Sequence, residues 1–123
     1  MEKMPKKFDL KDSLIQYSSR VIHLAESMPT AKAAGHIAGQ MLRSGIAPAL
    51  LYGEAQGAES RDDFIHKMKI GLKELKETRV CLKLVSKNGM ISADETIVQE
   101  TEELIAIFAR SIVTAKRNNG SKV

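Results

Sequence analysis

Apolar residues recur along the first quarter of the chain at spacings of three and four: Leu14, Tyr17, Val21, Leu24 and Met28. That period places all five on one stripe of an α-helix, which predicts a first helix over 9–27. Met28-Pro29-Thr30 closes it, because the residue before a proline is steered away from helical backbone. Thr30 stands where it can cap a second helix over 31–55. Within that helix, Ala33 to Gly53 runs twenty-one residues with a single formal charge, Arg43, and almost every other position is small or apolar. A helix apolar all round has to be buried all round, and a chain of 123 residues offers too few partner helices to cover it. The pattern therefore predicts an assembly in which this helix also meets another subunit. Pro48 removes a backbone donor in mid-helix and predicts either a break or, as the preferred reading, a kink against that neighbour.

Cap signals punctuate the second half. Ser60 followed by Asp63 resembles a capping box with Asp in place of Glu, and it starts a third helix over 61–87 that stops at Asn88-Gly89. Ser92-Ala93-Asp94-Glu95 is a cleaner S-x-x-E box for a fourth helix over 93–117, with 118–123 as a frayed tail. Only three prolines and five aromatics interrupt a composition rich in Ala, Leu, Ile, Lys and Glu. The fold class is all-α, in one domain spanning 1–123. Short loops imply antiparallel neighbours, hence an up-down-up-down four-helix bundle.

Composition narrows the setting. The Ala33–Gly53 stretch is long enough for a bilayer, but Arg43 near its centre would cost roughly 2.5–3.5 kcal/mol there. His36, Gln40 and Pro48 add to that cost, so the stretch is read as buried in protein. The basic start, with Lys3, Lys6 and Lys7, lacks the apolar core of a secretory signal. A lone Cys81 excludes an intrachain disulfide framework and fits a reducing compartment; the expectation is a cytoplasmic protein. The net charge of +4 permits contact with nucleic acid or an acidic protein surface without demanding it.

Charge placement says more than net charge. At about 100° per residue, Lys69, Lys73, Lys76, Lys83 and Lys87 fall on one narrow stripe of the third helix, with Val80 among them. Phe64, Met68, Leu75 and Leu82 lie about a third of a turn away and form the core face; Ile70, Cys81 and Val85 make a further apolar flank. A helix apolar on two sides of one basic stripe again points to an oligomer. The stripe itself is either a solvated face or a surface for a nucleic-acid backbone. It has no aromatic interleaving for base stacking, so contacts would fall on phosphates with little sequence preference. Lys116 and Arg117 and the basic start are secondary candidates.

Catalytic chemistry finds no footing. Asp63 and His66 have the i, i+3 spacing of one half of a di-iron bundle site, but the second copy is missing. His36 reads as a packed histidine, and Cys81, between Val80 and Leu82, as a buried thiol without a paired base. No Walker A, dinucleotide-binding or H-E-x-x-H motif is present. The chain is read as a non-enzyme with no cofactor and no metal.

The polar residues of the second helix remain. Gln40 and Arg43 share a helix face, and a buried Arg43 needs a carboxylate partner, with Glu77 of the third helix as the candidate. Glu54 completes the set. On these residues the chain resembles the bacterial four-helix-bundle proteins encoded by intervening sequences of large-subunit ribosomal RNA genes. The resemblance runs from Phe8-Asp9-Leu10 through Met28-Pro29 to Gly89-Met90-Ile91. Gln40, Arg43 and Glu54 match the motif on the family's second helix, while Leu51 replaces its Asn and Ala55 its Gly. Ser60, Phe64-Ile65 and Glu77 match the next helix, where Lys73-Glu74 replaces a Gly-Ser pair. This resemblance implies a ring-shaped homo-oligomer, typically a homopentamer. The chain is also similar in design to the accessory proteins of diversity-generating retroelements, basic pentameric bundles that bind nucleic acid and a reverse transcriptase. Together these features imply an accessory or scaffold protein contacting RNA or DNA through basic surfaces; the alternative is a protein-binding assembly module with no nucleic-acid role.

Overall fold

A computed structural model describes residues 8–92 and 94–121, with backbone alone for 119–121. Four helices account for nearly all of it, and no strand occurs among the described residues: α1 (Leu10–Glu26), α2 (Lys32–Gln56), α3 (Arg61–Lys87) and α4 (Glu95–Ser121). Asp9 caps α1 by accepting the Asp12 N–H at 3.2 Å. Ser60 caps α3 by accepting the Asp63 N–H at 3.0 Å, while the Asp63 carboxylate reaches past the cap to the Glu59 N–H at 3.4 Å. α3 ends in a two-bond Schellman closure. Met90 N–H donates to the Val85 carbonyl and Gly89 N–H to that of Ser86, with Gly89 at φ 62°, where glycine pays no Cβ penalty.

Three expected ends differ. Thr30 does not cap α2; the cap position is Ala31, which offers no side-chain acceptor. The start of α4 falls at Glu95, where the Asp94 carboxylate, two residues beyond Ser92, accepts the Thr96 N–H at 3.1 Å. Residue 93 of the expected box lies outside the described residues. Nor does α4 end at 117: its backbone stays helical to Ser121, since no proline follows and each added residue gains a bond once the helix is nucleated. Pro48 does not break α2, which runs unbroken from Lys32 to Gln56 with the proline ring buried. The missing N–H removes one intrahelical bond, and packing of the ring offsets that loss.

α2 and α3 pack most extensively, α3–α4 and α1–α2 follow, and of the four packed pairs α1 and α4 meet most sparsely. Between α2 and α3, Glu54 meets Lys67, Ser44 meets Thr78 and Arg43 meets Glu77. Long side chains span the wide α1–α4 seam. Tyr17 Oη lies 2.7 Å from Thr101 Oγ1, and Arg20 donates to Glu100, to Thr96 Oγ1 and to Asp94. Because Thr101 gives its own proton to the Ile97 carbonyl, Tyr17 is the donor in the first bond. Burial pushes the Tyr17 phenol up to about 12.

The core is built from Leu14, Tyr17 and Val21 of α1, Met41 of α2, Met68, Leu75, Leu82 and Val85 of α3, and Ile97, Leu104 and Phe108 of α4. Leu24, Met28 and Phe64 are half-buried rather than central, because they lie toward the helix ends. Two glycines set how closely helices approach. A Cβ on Gly45 would sit 2.5 Å from Val21 Cγ1, and one on Gly71 would sit 2.6 Å from Phe108 Cε2. α2 is not buried all round within one chain. Gly35, Gly39, Leu50 and Gly53 share an outward face; Leu50 is 63% exposed, and a Cβ on any of the three glycines would meet nothing within 4 Å.

Candidate nucleic-acid interface

With Met68, Leu75 and Leu82 fixed in the core, helical geometry turns the opposite side of α3 outward. Lys69, Lys73, Lys76, Lys83 and Lys87 are all exposed there, with Val80, 55% exposed, among them. At 1.5 Å per residue the stripe extends about 27 Å. None of the five pairs with a carboxylate among the described residues, because the neighbouring acids turn sideways into the seams. Glu74 and Glu77 face Arg43 of α2, and Glu102 of α4 accepts from Arg79 at 2.7 Å. The ridge is therefore positive without internal compensation. At its lower end Lys69 shares a shallow hollow of ≈ 340 Å³ with Asp62, His66 and Lys116. Arg117 is exposed nearby in sequence, and Lys3, Lys6 and Lys7 lie outside the described residues.

Lys67, absent from the stripe, faces α2 and donates to Glu54 at 2.9 Å. That hydrogen bond raises the Lys67 pKa. Its position on the helical wheel, on the α2 side, was the signal that separates it from the other lysines. Arg43 is the hub of the α2–α3 seam. It donates to both carboxylate oxygens of Glu74 at 3.1 and 3.2 Å, to Glu77, and to the Gln40 amide oxygen at 3.3 Å. The group is not the buried ion pair anticipated from an all-apolar helix. The Arg43 side chain is 52% exposed, at the mouth of the seam, while that of Glu74 is only 15% exposed. Glu74 was missed in the sequence, although its i, i+3 relation to Glu77 puts both on one face.

The remaining reactive groups stay apart. His23, His36 and His66 are exposed, so His36 is not packed. Asp63 serves the start of α3 rather than pairing with His66. Cys81 is buried, and burial followed by the Glu77 carboxylate pushes its thiol pKa up, away from the nucleophilic form. Among the described residues no three His, Cys, Asp or Glu side chains gather where a metal could be held, and no helix is long and apolar enough to cross a membrane.

Fold and ridge together define a small all-helical protein whose polar chemistry lies in helix seams and on one basic face. The family profile of 23S rRNA-intervening sequence proteins matches residues 6–111, and the chain belongs to that family. The fold is similar to a crystal structure from Bacteroides thetaiotaomicron, a protein of unknown function from the S23 ribosomal protein family. The TM-score is 0.79 at 29% identity, covering 85% of this chain and 98% of the other. No curated protein matches the chain.

Proposed function

We propose that this protein is a non-enzymatic, cytoplasmic accessory or scaffold protein that contacts RNA or DNA through the lysine ridge of α3. The observation that carries the reading is the ridge itself: five exposed lysines in line, with the acids beside them engaged elsewhere. Such a surface attracts phosphates by releasing counterions and carries little sequence information. The protomer is read as an antiparallel up-down-up-down bundle, and copies close into a ring, a homopentamer, that multiplies the ridge. Exposed Leu50 beside the bare glycines on the outer side of α2 supports self-assembly, since helices can approach closely there. A protein partner such as a reverse transcriptase fits the same design.

A second reading rests on exposed Leu50, Val80 and Leu84: an assembly module that binds only protein, its lysines serving solubility. A salt series separates the two. Nuclease-treated protein is titrated with structured RNA and with duplex DNA, alongside the double reversal Lys73→Glu, Lys76→Glu. Five phosphate contacts per protomer give a slope of log K against log salt of about −4.5 on B-DNA, and losing two shrinks it by about two. Light scattering should return one mass for both proteins. Absence of binding at low salt, or an unaltered slope in the variant, refutes the ridge as a nucleic-acid surface.

A further inference from the structure

We infer that the α3 ridge takes a double-stranded nucleic acid and lies across one of its grooves, an inference that rests on the nucleic-acid reading above. Positions 69, 73, 76, 80, 83 and 87 form one ladder of alternating steps of four and three, the spacing that keeps residues on one helix face. All six side chains are exposed. Five rungs are lysine and the fourth is Val80, 55% exposed. The apolar rung divides the charge in two: Lys69, Lys73 and Lys76 before it, Lys83 and Lys87 after it. Within each group neighbours stand about 4.5–6 Å apart along the axis, whereas Lys76 and Lys83 stand about 10.5 Å apart. Helical side chains all tilt toward the N-terminus, so both groups shift alike and the interval is kept.

A ligand matched to this row carries its negative charge in two runs with an interval between them. The phosphates of a single strand follow one another without a break, and a lysine at position 80 would serve them better than valine. A single strand also asks for rings on which to stack its bases. Of the five aromatic residues only Phe8 is exposed, just before α1; Tyr52 and Phe64 are half-buried, and Tyr17 and Phe108 are buried. A duplex meets both conditions. Its bases are already stacked, and its two strands line a groove, about 12 Å wide for the major groove of B-form DNA. One lysine group then holds each strand, with Val80 over the groove between them. A-form RNA offers the same two rails across its wide, shallow minor groove. Glu77, three residues before Val80, is engaged by Arg43 across the α2–α3 seam.

The test is Val80→Lys, which fills the missing rung at an exposed position. Wild type and variant are titrated over a salt series with a short DNA duplex, an RNA duplex of equal length and one of the DNA strands alone. On the tighter-bound duplex the slope of log K against log salt should be the same for both proteins, because the added lysine lies over the groove. That duplex also names the groove: DNA the major groove of the B form, RNA the minor groove of the A form. On the single strand, which bends to follow the row, the variant's slope should steepen by about 0.7 per protomer. Wild type should hold the tighter-bound duplex about tenfold more strongly than the single strand at about 0.1 M salt, as five contacts at about 0.9 and about 0.7 each imply. A duplex slope that steepens by about 0.9 in the variant overturns the straddling arrangement, and so does a single-strand slope that stays put. A single strand held as tightly as the duplex overturns it as well. If wild type binds none of the three, the ridge reading itself falls and the inference with it.

Discussion

Replacing Gly45 by alanine tests how tightly α1 and α2 are locked. The added Cβ would lie 2.5 Å from Val21 Cγ1, 3.0 Å from its Cβ and 3.2 Å from its Cγ2. Rotating the Val21 side chain relieves the methyl contacts but not the one to Cβ, which moves only with the backbone. The helices must therefore separate, which also strains the 2.9 Å hydrogen bond from Ser18 Oγ to the Gly45 carbonyl. Overpacking of this kind costs about 1–3 kcal/mol, and loss of the buried bond about another 1 kcal/mol. Alanine returns about 1 kcal/mol through its higher helix propensity. The net expectation is a loss of about 1–3 kcal/mol, measured by urea unfolding followed by circular dichroism at fixed protein concentration. Val21→Ala clears most of the obstruction, so the double variant should be more stable than the sum of the single losses implies, by about 1 kcal/mol or more. A Gly45→Ala protein as stable as wild type, or losses that simply add, would refute the close-approach argument.

The seams give further expected outcomes. Tyr17 holds its proton to about pH 12 when folded but to about pH 10 when unfolded, so its contribution is complete below pH 10 and is lost as pH rises from 10 to 12. Two pH units correspond to about 2–3 kcal/mol; Tyr17→Phe should cost about 1 kcal/mol at neutral pH and flatten the alkaline fall, and melts across that range check both. Arg43→Met leaves the largely buried Glu74 without its donor and should cost about 1–2 kcal/mol. By contrast Glu54→Gln, at an exposed pair, should change stability by less than about 0.5 kcal/mol; urea midpoints that move equally would count against the seam assignment.

The helices and most of their caps were legible because they rest on bonds between residues a few positions apart. Asp9, Ser60 and Gly89 act on neighbours three residues away, and the lysine ridge follows from the helical period alone. Where such signals competed, as at Ser92 and Asp94 or Thr30 and Ala31, chain geometry chose the cap, and the motif alone did not. Pro48 shows the same limit from the other side: its local cost was visible, the packing that offsets it was not.

What the tertiary structure decided concerns which distant residue arrives at a given face. Gly35, Gly39, Gly45 and Gly53 belong to one helix and read alike in the sequence, yet only Gly45 meets another helix at a distance that excludes a methyl group. Lys67 and Lys69 are two residues apart; one is held by Glu54 and the other is exposed on the ridge. Arg43 gathers Glu74 and Glu77 across the α2–α3 seam, whereas Arg61, equally charged, finds no carboxylate among the described residues. Helix formation depends on the chain's own near neighbours and is written locally. The partner of a side chain depends on the register of two packed helices, which only the assembled core fixes.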